Sequence, residues 1–291
     1  MIVSSWRPAF PLDVAAVLGP LRRGSADPTF QTGADNVLWL TANADTGPAS
    51  LALRRRGEEV VATAWGAGAD EVLAGVPGLL GADDDDSGFQ PHHDLIAQTR
   101  RRMPGLRLGA TGRVWDVLVP AVLEQKVTGY EARRSWRELC RRYGCPAPGP
   151  APDGMRVPPT PEAVLRIPDW EWHRAGVDGA RRTTLLNAAA CVHALDSVTK
   201  LRLIPGVGPW TAAEVAQRAW GDPDAVSVGD LHIPGLVGQA LVGHPLDDEG
   251  MLEVLAPYAP QRQRAVRYVE ASGFRRPRYA PRYRARDYRT I

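Results

Sequence analysis

The amino-acid sequence predicts an α+β protein, mostly α-helical, in which a smaller N-terminal domain with an antiparallel sheet precedes a helical bundle. Two patterns support this fold class. Between residues 36 and 65, short runs rich in apolar and β-branched residues are separated by glycines and charged turns. From His93 onward, apolar residues recur at helical spacing over longer segments.

The N-terminal part is expected to contain three strands and one helix. The strands cover residues 36–41, 50–54 and 59–65, and the last ends at Gly66-Ala67-Gly68. A helix follows from Asp70 to Leu80, with Asp70 as a candidate N-cap. The acidic run Asp83 to Asp86 is interpreted as a solvated loop, with a cation site as the alternative. Together with Pro91, this run divides the chain into domains 1–88 and 89–274.

The sequence of the second domain predicts a series of helices. The helices are expected over residues 94–102, 114–125, 131–143, from 160 onward, 181–195 and 249–269, with a proline-rich loop at 145–160. The segment 114–125 is apolar on most sides, which predicts a buried helix. The segment 131–143 is amphipathic, with Trp136, Leu139 and Cys140 facing inward and Arg133, Arg134, Arg137 and Arg141 facing outward.

Composition excludes several classes of protein. With 291 residues, 44% hydrophobic and 23% charged, the chain is expected to be globular and soluble, with two or three subdomains. No run of about 18 apolar residues and no secretion signal are present, so a cytoplasmic, non-membrane protein is predicted. Cys140, Cys145 and Cys191 are too few and too irregular for a disulfide framework, and we expect them to be reduced thiols.

Charge is distributed unevenly along the chain. Residues 275–291 hold seven arginines and one aspartate, a net charge of +6 that leaves −4 for residues 1–274. The arginines alternate with Tyr279, Tyr283 and Tyr288, a pattern that suits phosphate contacts and stacking on bases. The alternative is a tail that packs on the protein, with the arginine stems covering apolar surface.

The most informative segment is residues 201–232. Gly206-Val207-Gly208 forms a glycine hairpin, and Pro209 suits the first position of the helix that follows. Unpaired N–H groups at the start of a helix bind anions such as phosphate. An ordinary helix–turn–helix corner with a glycine C-cap remains an alternative for the hairpin alone.

Twenty residues after Trp210, Asp230 stands in a small, turn-like Ser-Val-Gly-Asp context. A single carboxylate near an anomeric carbon can stabilise positive charge on a sugar and activate water. Asp230 also fits the N-cap of a helix starting near Leu231, and both roles are compatible. Asp222 and Asp224 are interpreted as turn formers.

Two motifs together resemble the helix-hairpin-helix (HhH-GPD) DNA glycosylase superfamily, and in particular its bacterial inducible 3-methyladenine DNA glycosylase branch. That branch has Pro-Gly-Ile-Gly-x-Trp-Thr-Ala where this chain has residues 205–212, PGVGPWTA. Its Leu-Glu-Gln-Gln-Val-Ser segment is similar to residues 123–128, LEQKVT. The resemblance runs from about residue 88 to 272, and it implies an HhH-GPD glycosylase bundle with an N-terminal sheet domain.

The resemblance also implies roles for individual residues. Asp230 would be the catalytic carboxylate, and Trp210 would line the base pocket, where its indole face attracts cationic alkylated purines. Glu214 replaces a pocket tyrosine of the best-known relatives, so it either lines the pocket or forms a solvated i,i+4 pair with Arg218. The DNA-binding residues implied are Gln125, Lys126, Thr128, Gly206, Val207, Gly208 and Thr211. Lys126 stands at the wedge position, where relatives have other residues.

The implied function is removal of alkylated purines, such as 3-methyladenine, from double-stranded DNA in base excision repair. Bifunctional relatives carry a lysine nucleophile at the position of Trp210; this chain has only Lys126 and Lys200, so a monofunctional, monomeric glycosylase is predicted. Backbone carbonyls of Gly206 and Gly208 could hold Na⁺ or K⁺, as in the family, and three cysteines cannot build a four-cysteine iron–sulfur cluster. The alternatives are a weakly catalytic or non-catalytic lesion-binding protein, and a glycosylase for a neutral lesion such as uracil or hypoxanthine.

Overall fold

The computed structural model describes residues 1–276, so the tail expected to contact DNA or pack on the protein lies outside the described residues from 277 onward. The N-terminal part is a five-stranded antiparallel sheet in the order β1-β5-β4-β3-β2. The strands are β1 (Ile2–Trp6), β2 (Phe30–Thr32), β3 (Leu38–Ala44), β4 (Gly47–Arg56) and β5 (Glu59–Gly66). The three strands expected from the sequence are confirmed, with shifted ends. The two edge strands were not expected, because β1 is short and largely exposed and β2 has only three residues.

One face of the sheet forms the N-terminal core. Phe30, Leu40, Leu51 and Ala64 are neighbours in register across four strands, and all four are buried. Helices α1 (Val14–Leu18), α2 (Ala69–Ala74) and α3 (Val76–Leu79) contribute to the same apolar cluster. Alternate residues of β5, namely Val60, Ala62 and Ala64, face this core, and the residues between them face the other side of the sheet.

The single helix expected from Asp70 to Leu80 is wrong in two details. Gly75 ends α2, and Pro77 lies in the first turn of α3, so the segment forms two short helices. The N-cap of α2 is Gly68, and Asp70 lies in the first turn. There its negative charge interacts favourably with the positive end of the helix dipole.

The other face of the sheet is covered by the proline-rich segment. Trp39 and Trp65 stack on this face with ring centroids 5.2 Å apart, and Gly149 lies against the Trp65 ring. Two short strands, β6 (Cys145–Pro146) and β7 (Arg156–Val157), pair with each other, and the Thr41 hydroxyl donates to the Arg156 carbonyl at 2.7 Å. The segment expected to be a loop of little regular structure therefore joins the sheet to the helical part.

The helical part begins at α4 (Asp94–Arg102), which has the expected bounds, and its helices follow the expected order. The helix expected from residue 131 begins two residues earlier, and the segment 249–269 forms two helices. The remaining helices are α5 (Val114–Leu123), α6 (Gly129–Tyr143), α7 (Pro161–Leu165), α8 (Asp169–Arg174), α9 (Gly179–Cys191), α10 (Val198–Leu201), α11 (Pro209–Val215), α12 (Ile233–Leu241), α13 (Asp248–Leu255) and α14 (Arg262–Ala271). Within residues 1–276, no helix is both long enough and apolar enough to cross a membrane.

These helices form two apolar cores. The larger core takes residues from α5 to α11 and includes the buried α5. The smaller core takes residues from α4 and α12–α14, together with Phe89, Leu106 and Val226. Helix α11 belongs to the first core and α12 to the second, so the loop between them, residues 221–232, crosses from one core to the other.

The cysteines are free thiols, as expected. Cys140 is buried on the inner face of α6, Cys145 is half-buried and Cys191 is exposed. Burial raises the pKa of the Cys140 thiol well above its ordinary value, which keeps this group protonated and unreactive.

The acidic run Asp83 to Asp86 is only partly a solvated loop: Asp83 and Asp85 are exposed, but arginines engage Asp84 and Asp86. Asp84 is buried, and it forms an ion pair with Arg264 in which each side chain is only 2% exposed. Its carboxylate also accepts the Leu108 amide at 2.9 Å. Asp86 pairs with Arg100 at 3.2 Å and Arg107 at 3.0 Å. Because arginines neutralise these carboxylates, the alternative cation site has no support, and the run instead ties the N-terminal domain to α4 and α14.

Removal of the Asp84 carboxylate is expected to destabilise the protein strongly. Asp84→Ala should lower the free energy of unfolding by about 3–5 kcal/mol, because it leaves the buried Arg264 guanidinium without its counter-charge. Urea denaturation followed by circular dichroism measures this loss. Arg7→Ala is the control, since Arg7 and its partner Glu58 are exposed, and its unfolding midpoint should match that of the wild type. An Asp84→Ala protein as stable as the control would show that the pair does not hold the domains together.

Candidate carboxylate site and nucleic-acid interface

The Asp230 carboxylate is held by three N–H donors. Its Oδ2 accepts a hydrogen bond from Trp210 Nε1 at 2.9 Å. Its Oδ1 accepts from the backbone amides of His232 at 2.7 Å and Ile233 at 2.9 Å. The N-cap of α12 is His232 and not Asp230 as expected, but the Asp230 carboxylate accepts the first two amides of this helix end and also receives the indole of α11. These bonds fix the carboxylate in one orientation while the residue stays partly exposed.

The loop that carries Asp230 is anchored at Ser227. The Ser227 hydroxyl accepts from Gln217 Nε2 at 2.8 Å and donates to Glu214 Oε1 at 2.7 Å. The amide of Gly229, which has φ +91°, donates to the carboxylate of Asp248 at 3.0 Å. These bonds fasten the loop to Glu214 on α11, to Gln217 just after α11, and to Asp248 on α13. Sequence reasoning missed Ser227 and Gln217, because nothing in their spacing indicates that they meet.

Glu214 is paired and mostly buried. Its Oε2 lies 2.9 Å from an Arg218 guanidinium nitrogen, and the side chains of Glu214 and Arg218 are 12% and 15% exposed. Arg218 also donates to the Pro20 carbonyl at 3.1 Å, which places it against the N-terminal domain. The i,i+4 pair therefore exists, but on a face that points to the Asp230 loop and not to solvent. A role of Glu214 in a base pocket stays a prediction.

The hairpin depends on one left-handed glycine. Gly206 has φ +92°, and a Cβ added there would lie 2.0 Å from Thr184 Oγ1, so no other residue fits. Gly208 differs from the expectation: it is extended, with φ −85° and ψ −177°, and it is the N-cap of α11. Val207 is buried in the larger helical core, which fixes the tip from below. Pro209 occupies the start of α11, as predicted.

The carbonyl groups of both hairpin glycines already accept hydrogen bonds. Gly206 O accepts from Gln125 Nε2 at 2.9 Å, and Gly208 O accepts from the Ala212 amide at 3.0 Å. A monovalent cation at these two positions would have to share each oxygen with an N–H donor. A carbonyl oxygen has two lone pairs, so these hydrogen bonds do not exclude a cation, and the Na⁺ or K⁺ site stays a prediction.

Gln125 links the hairpin to α5. Its side-chain amide donates to Gly206 O and, at 2.8 Å, to Thr211 Oγ1. Thr211 is itself buried, so a DNA contact from this residue would have to come from its backbone amide. Both residues were expected to bind DNA. In the structure their side chains hold the hairpin in place, and DNA contacts by either one stay a prediction.

Lys126 protrudes from the turn after α5. It has φ +53°, an uncommon conformation for a lysine, and its side chain is exposed. The residues before it are held on both sides: Glu124 pairs with Arg23 at 3.0 Å, and Gln125 binds the hairpin. The buried Arg181 donates to the Leu123 carbonyl at 2.9 Å. The fixed turn therefore directs Lys126 outward, beside the hairpin to which Gln125 is bound.

Thr128 starts the next helix. Its hydroxyl accepts from the Glu131 amide, and the Glu131 carboxylate binds the Thr128 amide at 2.8 Å, a complete capping box.

The structure brings the predicted residues together in two groups. The first group lies around the 221–232 loop and consists of Trp210, Glu214 and Asp230. The second group lies at the hairpin and consists of Gln125, Gly206 and Thr211, with Lys126 and Thr128 close to Gln125 in the chain.

Asp222 and Asp224 form a turn, as predicted. Asp222 Oδ1 accepts the Asp224 amide at 2.8 Å. Asp224 also binds Arg262 of α14, with Nε to Oδ1 at 2.8 Å. Burial of Asp224 opposes ionisation, but the hydrogen bonds from Arg262 lower the pKa of its carboxyl below the ordinary value. This carboxylate is a structural anchor of the loop.

The amino-acid sequence is similar to that of a known DNA repair protein. No family model matches the chain. The chain is 29% identical, over 180 residues, to a probable bifunctional transcriptional activator/DNA repair enzyme AlkA from Mycobacterium tuberculosis; the match covers 58% of this chain and 35% of the relative. The matched region therefore spans about a third of the length of that curated relative.

Solved structures match almost the whole chain. A 3-methyladenine DNA glycosylase from Archaeoglobus fulgidus superposes with a TM-score of 0.71 at 14% identity, covering 91% of this chain and 96% of the other. An 8-oxoguanine glycosylase/lyase from Clostridium acetobutylicum, solved with double-stranded DNA, superposes with a TM-score of 0.65 at 10% identity, covering 92% and 97%. The chain therefore has the fold of the helix-hairpin-helix DNA glycosylases, the superfamily that its hairpin and aspartate motifs resemble.

Proposed function

We propose that this protein is a monofunctional DNA glycosylase that removes alkylated, cationic purines such as 3-methyladenine from double-stranded DNA in base excision repair, and that it acts as a monomer. One observation carries the proposal: a partly exposed carboxylate, Asp230, is fixed by Trp210 and the start of α12 beside a phosphate-binding type of hairpin. Such a carboxylate suits chemistry at a sugar attached to a bound phosphate backbone.

The reaction breaks the bond between the sugar C1′ and the base nitrogen. Positive charge develops on the sugar as the base leaves with the bonding electrons. The Asp230 carboxylate stabilises that charge, and it orients a water molecule whose oxygen bonds to C1′ while its proton passes to the carboxylate or to solvent. Because Trp210 and two backbone amides hold the carboxylate in advance, little reorganisation is needed during the reaction.

The choice of base follows from charge. An alkylated purine is cationic, so it leaves readily without a strong general acid. The indole face of Trp210, whose N–H is directed at Asp230, attracts a cationic ring. The target base must leave the duplex to reach this position, and Lys126, protruding from the turn after α5, is suited to occupy the gap with its stem or to bind a phosphate.

DNA as the partner is supported independently. Hairpin residues 206–208 precede the first turn of α11, whose amides face away from the helix and suit a phosphate contact. The structurally similar 8-oxoguanine glycosylase/lyase was solved on double-stranded DNA, and the similar Archaeoglobus protein is a 3-methyladenine DNA glycosylase.

Replacement of the Asp230 carboxylate tests the assignment of the catalytic group. Asp230→Asn should slow excision by about 100-fold or more while leaving DNA affinity within a few-fold, because the amide lacks the negative charge that stabilises the sugar. Single-turnover excision from methylated DNA, with released bases identified by mass, measures the effect. Asp222→Asn makes the same change in the neighbouring turn and should excise at the wild-type rate. A near-normal rate for Asp230→Asn would remove Asp230 from the mechanism.

The reaction type is tested by trapping. The protein should leave an intact abasic site, and borohydride should capture no covalent protein–DNA adduct, since Trp210 stands where bifunctional relatives have a lysine. Of the two lysines in the chain, Lys200 is paired with Asp196 at 2.6 Å on α10. An adduct that forms with the wild type and disappears in Lys126→Ala would overturn the proposal and make Lys126 a nucleophile.

Substrate preference is tested at Glu214. Glu214→Gln keeps an acceptor for the Ser227 hydroxyl but removes the negative charge, so excision of 3-methyladenine should fall roughly tenfold more than excision of hypoxanthine, equivalent to about 1.4 kcal/mol of charge interaction. Competitive excision assays on both substrates give this ratio. Ser227→Ala is the matched control: it removes the loop contact but keeps the charge, and it should slow both substrates alike. Equal losses in both variants would confine Glu214 to anchoring the Asp230 loop.

A further inference from the structure

A row of arginines follows the exposed side of α6. Arg133, Arg137 and Arg141 are spaced four residues apart, so they lie on one face of this helix, opposite the buried Ser135 and Leu139. Arg22 lies next to this row: its Nε donates to the Gly24 carbonyl at 3.3 Å, and the Arg133 stem passes over Gly24. We call these four residues the arginine stripe.

The arginine stripe has no counter-charge. Within residues 1–276, none of its four guanidinium groups lies within 4.0 Å of a carboxylate. The acidic residues of α6 are engaged elsewhere: Glu131 in the capping box with Thr128, and Glu138 with Arg142 at 3.1 Å. Asp27, the acid nearest to Arg22 in sequence, is fully buried and binds the Arg23 amide and Trp136 Nε1.

This arrangement is unfavourable for the isolated protein. Like charges at i,i+4 on a helix repel each other and destabilise it. Elsewhere the same protein pairs its arginines: Arg142, also on α6, contacts both Glu138 and Glu171. A polyanion lying along the stripe would remove the repulsion, which a neutral partner would not do.

The stripe is continuous with the proposed DNA-binding surface. Helix α6 begins at the Thr128 cap, two residues after the protruding Lys126. Tyr130, in its first turn, is 63% exposed and stands on the same face as the arginines. From Tyr130 to Arg141 the helix extends about 16 Å, the length of about five base pairs of duplex.

We propose that the arginine stripe binds the phosphate backbone of the DNA duplex on one side of the lesion, extending the footprint by about five base pairs beyond the hairpin and the Lys126 turn. The inference rests on the proposed function, because the position of this contact along the DNA is counted from the damaged base. Tyr130 marks the end nearest the lesion, where its ring or hydroxyl can contact a sugar or phosphate. Arg22 widens the stripe on the side of the N-terminal domain.

Salt-dependent binding tests the contact. A variant with Arg22, Arg133, Arg137 and Arg141 each changed to Ala should bind an undamaged duplex at least about tenfold more weakly at low salt. Its slope of log K against log salt should be shallower by roughly 0.9 per lost phosphate contact, or about 3.6 if all four arginines contribute. Fluorescence anisotropy with a labelled duplex measures both quantities, and circular dichroism verifies that the variant is folded.

A matched control separates the stripe from net charge. Arg7, Arg56 and Arg101 are exposed arginines on other elements, and their joint change to Ala removes nearly as much charge. This control should keep the wild-type slope and the wild-type excision rate. An equal loss of slope in both variants would mean that overall charge, and not the stripe, attracts the DNA, and would overturn the inference.

Duplex length gives the second readout. Removing five base pairs from one side of the lesion should weaken binding of the wild type, whereas the stripe variant should lose no further affinity on the same shortened duplex. Independent losses from the two changes would contradict a contact between them. If the wild type binds and excises normally and the stripe variant keeps the wild-type slope of log K against log salt, only the DNA contact of the stripe is refuted. If the wild type neither binds DNA nor excises bases, the proposed function itself is refuted.

Discussion

The buried ion pair between Asp84 and Arg264 is the constraint on which the arrangement of the domains depends. Two charges in an apolar interior are tolerated only when each has its partner and further hydrogen bonds. Arg264 belongs to α14, near the C-terminal end of the described chain, and Asp84 to the segment that leaves the N-terminal domain. Neither residue can remain buried unless these distant segments meet, so the pair fixes how the helical part closes on the sheet domain.

The candidate site lies where the two helical cores meet, and residues of both cores hold it. Trp210 comes from α11 in the larger core, and Asp230 accepts the first amides of α12 in the smaller core. A side-chain hydrogen bond of 2.9 Å joins them across this boundary. The bonds from Ser227 to Glu214 and from Gly229 to Asp248 fasten the same loop on both sides. A carboxylate mounted in this way needs no ligand to define its position.

The DNA-facing elements depend on the same principle of support from behind. The Gln125 side-chain amide donates to the hairpin, and the buried Arg181 donates to the last carbonyl of α5. Because these contacts fix the turn after α5, Lys126 is the residue of that turn that points outward. The hairpin tip is held by Val207 in the core and by the close approach of Gly206 to Thr184. Residues expected to touch DNA are therefore divided between those that build the surface and those that are presented on it.

The sequence by itself determined the fold class, the three central strands, most of the helices, and the positions of the hairpin and Asp230, because these depend on local periodicity, turn residues and capping. Tertiary structure alone decided the rest. Asp84 of the acidic run is buried, since arginines distant in sequence converge on it. Glu214 turns toward the Asp230 loop, since Ser227 and Arg218 meet it there. Gln125 faces the hairpin, since α5 packs against α11. In each case the partner lies beyond the reach of local patterns, and only the packing of the chain brings the charges and donors together.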